Sequence, residues 1–97
     1  MNNLLKDSNT EYFYKAVLQL RSEDDCKRFF EDLCTVNELS AISQRLGVAK
    51  LLREKHVYND IVKMTGASTA TISRTNRSLV FGNGGYDIAF KRLGENE

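Results

Sequence analysis

Ninety-seven residues, 41 % hydrophobic and 28 % charged, suffice for one domain with a modest core. The longest run of large apolar residues, Leu79-Val80-Phe81, is too short to span a membrane. The start MNNLLKDSNT lacks the basic head and apolar middle of a signal peptide, so a cytoplasmic protein without a membrane partner is expected. The net charge of +1 is unevenly spread. Residues 1–41 are acidic on balance, whereas residues 42–77 carry Arg45, Lys50, Arg53, Lys55, Lys63, Arg74 and Arg77 against Glu54 and Asp60.

No proline interrupts the chain, which suits an all-α bundle with short connections. A first helix is predicted over residues 10–20, where Phe13, Val17 and Leu20 form an apolar stripe widened by Tyr14 and Leu18. Ser22 is placed to cap a second helix, with Asp25 three residues on and Glu23 and Asp24 at the positive end of the helix dipole. Cys26, Phe29, Phe30 and Leu33 make its inner face, and Cys26 and Cys34 are expected on this helix as reduced small hydrophobes in the core. Thr35 and Glu38 form a second capping box. They open a third helix that turns Leu39, Ile42, Leu46, Ala49 and Leu52 inward and ends near Arg53 or Glu54. A helical hairpin follows over about residues 57–79. Gly82-Asn83-Gly84-Gly85 then reads as a flexible connection to a closing helix over about residues 86–94, built on Tyr86, Ala89, Phe90 and Leu93.

The expected layout is a single domain over residues 1–97: a helical dimerisation core at about 8–54, a reading head at about 57–79 and the closing helix. Six short helices leave more apolar surface than so small a chain can bury on itself, with Phe13, Tyr14, Phe29, Phe30, Leu33 and Leu39 as the surplus. A two-fold homodimer would cover them and present two heads one helical turn of DNA apart; the alternative is a monomeric core.

Residues 58–77, YNDIVKMTGASTATISRTNR, carry the functional signal. Gly66 can take the positive φ of a sharp turn, with Ile61 and Ile72 placed to meet inside the corner. After the turn come Ser68, Thr69, Ala70, Thr71, Ser73, Arg74, Asn76 and Arg77, small donors and cations with no acid among them. Such a helix can enter a major groove of double-stranded DNA and bond base edges and phosphates. An ordinary polar hairpin in an all-α domain would need fewer β-branched hydroxyls.

Little points to catalysis. His56, the single histidine, meets no carboxylate before Asp60 and is expected to be solvated or capping. Cys26 and Cys34 are too far apart for a CxxC pair, and one histidine completes no four-ligand zinc set, so no catalytic or metal site is expected. Gly82–Gly85 lacks the lysine and hydroxyl of a phosphate loop.

The segment from Thr35 to Leu79, and above all LLRE at Leu51–Glu54, TGASTATISR at Thr65–Arg74 and the following Asn76-Arg77-Ser78-Leu79, resembles the Trp repressor family. The nearest likeness is to its small YerC/YecD-type members. The resemblance implies six helices in an intertwined dimer, with the fourth and fifth as a helix-turn-helix reading head. It also implies a corepressor question, because L-tryptophan in the Trp repressor lies between core and head with two arginines flanking the indole and holding the carboxylate. Arg74 matches one arginine, Arg45 matches the other when one residue is skipped before Leu51, and Thr35 matches a threonine near the pocket. No cofactor is required on this reading, and L-tryptophan or a related small-molecule effector is the candidate ligand.

Tyr58 and Asn59 replace a glutamine and an arginine of the family's head, so a different operator is expected. Thr69, Ala70, Thr71 and Ser73 are expected to line the groove beside Ser68, with Asn59, Lys63 and Arg77 on phosphates. The function these features imply is a sequence-specific regulator, most simply a repressor on a palindromic operator. A protein-interaction module that keeps the fold, or a non-specific DNA binder, is the alternative.

Overall fold

The computed structural model describes residues 3–95, so the first and last two positions of the expected 1–97 span lie outside the described residues. Among the described residues there are six α-helices and no strand: α1 Asn3–Val17, α2 Glu23–Leu33, α3 Val36–Arg53, α4 Tyr58–Thr65, α5 Thr69–Phe81 and α6 Gly85–Glu95. The all-α, six-helix expectation holds. The chain divides into two compact units at Leu39–Ser40.

In the first unit, α1 starts at Asn3 rather than residue 10 and stops at Val17 rather than residue 20. Its end is tightened by Gln19 N–H to Ala16 C=O and Leu20 N–H to Val17 C=O, the i→i−3 bonds that close a helix. Leu18 and Leu20 therefore leave the stripe for the turn, and Leu18 is exposed. Ser22 caps α2 as expected, accepting from Asp25 N–H at 3.0 Å, while the Asp25 carboxylate accepts from Arg21 N–H at 3.0 Å. Phe13 stacks on Phe29 at 6.5 Å between centroids and meets Phe30 edge-on at 6.5 Å, which ties α1 to α2.

The cysteines depart from expectation. Cys34 is the C-cap of α2, its N–H donating to Phe30 C=O at 2.9 Å, and so lies off the helix. It is half-buried and Cys26 is exposed; both are free thiols and neither is a core residue. The Thr35–Glu38 box is present in both directions: Thr35 N–H donates to Glu38 Oε1 at 2.8 Å, and Glu38 N–H to Thr35 Oγ1 at 3.0 Å.

In the second unit the core is a cluster of Val48, Ile61, Ala67 and Ile72, each no more than 2 % exposed, flanked by Leu51, Leu52 and Val62. The inward stripe of α3 is thus rotated from the expected one: Ala49 is buried and Leu52 partly so, but Ile42 and Leu46 are exposed. Val48 takes the central place because it faces the corner between α4 and α5, while Leu46 lines an open groove of about 700 Å³ with Phe90 and Leu93 of α6.

The link from α3 to α4 is closed rather than loose. Lys55 sits in the left-handed region at φ 70, its N–H donating to Leu52 C=O and the His56 N–H to Leu51 C=O, the paired bonds of a Schellman ending. His56 does have a near carboxylate, Glu54, at 3.7 Å. Gly82–Gly85 is likewise defined: Gly82 caps α5 where a Cβ would collide with Ser78 C=O. The closing helix is held to α3 by Arg53, which pairs with Asp87 and lies 5.4 Å over the Phe90 ring.

Candidate nucleic-acid interface

The hairpin is assembled by its turn. Gly66 caps α4 at φ 73, ψ 5, donating to Val62 C=O at 2.8 Å. No atom lies near its missing Cβ, so the glycine is needed for the backbone angle and not for space. Thr65 Oγ1 donates to Ile61 C=O at 2.7 Å and accepts from Ala67 N–H at 3.1 Å. Ser68 then caps α5, accepting from Thr71 N–H at 3.1 Å. Ile61 and Ile72 meet beneath this turn as their spacing predicts, both fully buried.

Position on α5 sorts the expected readers. At about 100° per residue, Thr69, Ala70, Ser73 and Arg77 fall within one arc of about 100°, and all four are exposed. Thr71 is on another side of the helix: it is half-buried, and its hydroxyl bonds the Ser68 hydroxyl at 3.1 Å. The Ser68 hydroxyl is thereby committed to the cap, although the residue is exposed. On α4, Asn59 and Lys63 are exposed one turn apart and so share a face.

The cations divide in a similar way. Arg53 is taken up by Asp87, whereas no ion pair among the described residues engages Arg45, Lys50, Lys55, Lys63, Arg74 or Arg77. With Asp60 as the lone acid of the hairpin helices, that surface is suited to a polyanion.

Arg45 and Arg74 are brought together. They line one cavity of about 290 Å³ with Thr71, Thr75 and Ser78. Thr75 is 2 % exposed and donates to Thr71 C=O at 2.8 Å. Thr35 belongs to the other unit, where its hydroxyl is engaged in the α3 capping box.

One residue was missed on sequence. Gln44 Nε2 donates to Thr65 C=O across 3.1 Å, joining α3 directly to the hairpin turn. Its spacing held the signal, since Gln44, Val48, Leu51 and Leu52 fall at i, i+4, i+7 and i+8 of one helical face.

A family model described as Trp repressor protein matches residues 8–94. The chain belongs to the Trp repressor family. Among its relatives is the uncharacterized protein YerC of Bacillus subtilis (strain 168), 45 % identical over 93 residues, which span 96 % of this chain and 89 % of YerC. The crystal structure of a TrpR-like protein from Eubacterium eligens ATCC 27750 is 56 % identical, with a TM-score of 0.89 over 96 % of each chain. A candidate Trp repressor from Staphylococcus aureus is 41 % identical with a TM-score of 0.88, over 97 % of this chain and 94 % of its own. The Trp repressor family resemblance read from Thr35–Leu79 therefore extends into the amino-terminal helices, where the motifs were weak.

Proposed function

We propose that this protein is a cytoplasmic, homodimeric, sequence-specific double-stranded-DNA-binding transcriptional regulator, most simply a repressor of a palindromic operator. The observation that carries the reading is the α4–Gly66–α5 hairpin, a helix-turn-helix whose outward face holds Thr69, Ala70, Ser73 and Arg77 with no acid among them. Family membership supports it. On this reading Thr69, Ala70 and Ser73 face base edges, and Asn59, Lys63 and Arg77 hold phosphates and fix register. Thr71 and Ser68 act one step back, by keeping the first turn of α5 in shape. The dimer reading rests on exposed apolar residues such as Tyr14, Leu33, Leu46 and Leu93. Function by occupancy rather than chemistry follows from the same family.

The Arg45–Arg74 cavity is the proposed place for an effector, L-tryptophan or a related carboxylate. Arginine suits both ring stacking and bidentate carboxylate binding, and a volume of about 290 Å³ lies at the low end for small-ligand sites.

The test is selection from a random double-stranded DNA pool at near-physiological salt, with and without L-tryptophan. An enriched palindrome is expected, and Lys63→Ala should flatten the salt dependence of binding by about one unit while leaving site preference intact. Salt-sensitive binding without an enriched site means a non-specific binder. Absence of duplex binding in both arms means a protein-interaction module.

A further inference from the structure

The hairpin is attached to α3 at two separate places, through the chain itself and through one long-range side-chain bond. One is the covalent link Glu54–Val57, closed by the Lys55 and His56 N–H bonds back onto Leu52 and Leu51. That closure places Lys55 at φ 70, a conformation uncommon for a residue with a Cβ. The other is Gln44, whose amide reaches 21 residues along the chain to Thr65 C=O. The last carbonyls of a helix have no partner within it, so this donor completes the end of α4.

Thr65 is then fixed from three sides. Its carbonyl accepts from Gln44, its hydroxyl donates to Ile61 C=O, and the same hydroxyl accepts from Ala67 N–H. Directly behind, Val48 of α3 is buried against Ile61, Ala67 and Ile72 of the hairpin. A part-buried acceptor that loses its donor is only partly rehydrated, so rotation of the hairpin away from α3 is opposed by the Gln44 bond as well as by the apolar cluster.

We infer that Gln44 is a positioning residue which, through the Thr65 carbonyl and beside the Val48 cluster, fixes the angle of the α4–α5 hairpin to α3. The consequence for duplex affinity rests on the DNA-binding reading; the geometry does not.

The experiment uses the full chain with two variants. Gln44→Leu removes the donor at similar bulk, and Gln44→Lys restores one on a flexible stem. The probes are amide hydrogen exchange at Gly66 and Ala67, affinity for the duplex recovered by wild-type selection, and the thermal midpoint. In Gln44→Leu, exchange at both amides should quicken, and duplex affinity should fall, by about threefold to tenfold, with the midpoint held within a few degrees. Gln44→Lys should recover both. The inference is overturned by unchanged exchange in Gln44→Leu, or by an affinity loss that tracks a fallen midpoint and is not recovered by lysine. If wild type selects no duplex, the DNA-binding reading fails by itself, and the exchange comparison still decides the role of Gln44.

Discussion

In residues 40–97, Val48, Ala49, Ile61, Ala67 and Ile72 are all buried within a single chain, and the turn above them has its polar atoms bonded. In residues 7–39 no side chain is buried, although Phe13, Phe29 and Phe30 meet ring to ring. The local structure of the amino-terminal unit is nevertheless complete, with Ser22 and Thr35 capping two successive helices. What it lacks is an interior. A unit with sound caps and an unfinished interior draws its stability from apolar surface covered by something else, and on the proposed reading that is a second copy. The carboxy-terminal hairpin, with its own core, can present a fixed face to a partner.

The largest test of this contrast is Ile72→Ala. Ile72 is fully buried among Val48, Ile61 and Ala67, so truncation leaves a cavity at the centre of the hairpin and should cost about 2–5 kcal/mol. Chemical denaturation followed by a probe in α5 checks it, and a cost near zero would mean that the cluster is not what holds the hairpin.

Next in size is Leu33→Glu. Leu33 is 53 % exposed on α2, and a carboxylate there costs little in a lone chain but opposes burial against another. Dimer association should weaken by about thirtyfold or more, read by sedimentation equilibrium across a concentration series. Identical self-association of variant and wild type would remove this face from the interface.

The contrast also explains what was legible in the sequence. Capping boxes are written in residues three apart, so Ser22–Asp25 and Thr35–Glu38 could be read directly, as could Gly66 between Ile61 and Ile72. The inward face of α3 could not, because Val48 and Leu46 are both apolar and only the neighbouring helices decide which is buried. Leu18 is a related case: an apolar stripe continues past Val17 in sequence, and the turn that ends α1 carries no glycine or proline to mark it. Cys34 looked like helix interior by composition, while its backbone serves as the cap. For the interface, the hydroxyls and cations of the hairpin were visible, but the division between Ser73 on the outward face and Thr71 behind it needed the helix phase. Gln44 shares the inward face of α3 with Val48, but its acceptor, Thr65 C=O, lies 21 residues along the chain on another helix, and spacing within α3 does not name it.

The smallest effect concerns the cap that makes the amino-terminal unit locally complete. Glu38 has its pKa held below the ordinary glutamate value, first by the Thr35 backbone N–H and then by the Thr35 side chain, with desolvation acting weakly the other way. Both bonds favour the charged form, so the folded state binds the proton less readily than the unfolded chain. The stabilisation is therefore present above the ordinary glutamate value and is lost as pH falls through the lowered one. Glu38→Gln keeps an acceptor for the Thr35 N–H but cannot titrate. Wild type should be slightly more stable than the variant near neutrality, and the two denaturation midpoints should converge as pH drops through the acidic range. Curves that stay parallel to low pH would show that the carboxylate charge does nothing at this cap, leaving the two backbone N–H bonds of Thr35 and Glu38 as the whole of the helix start.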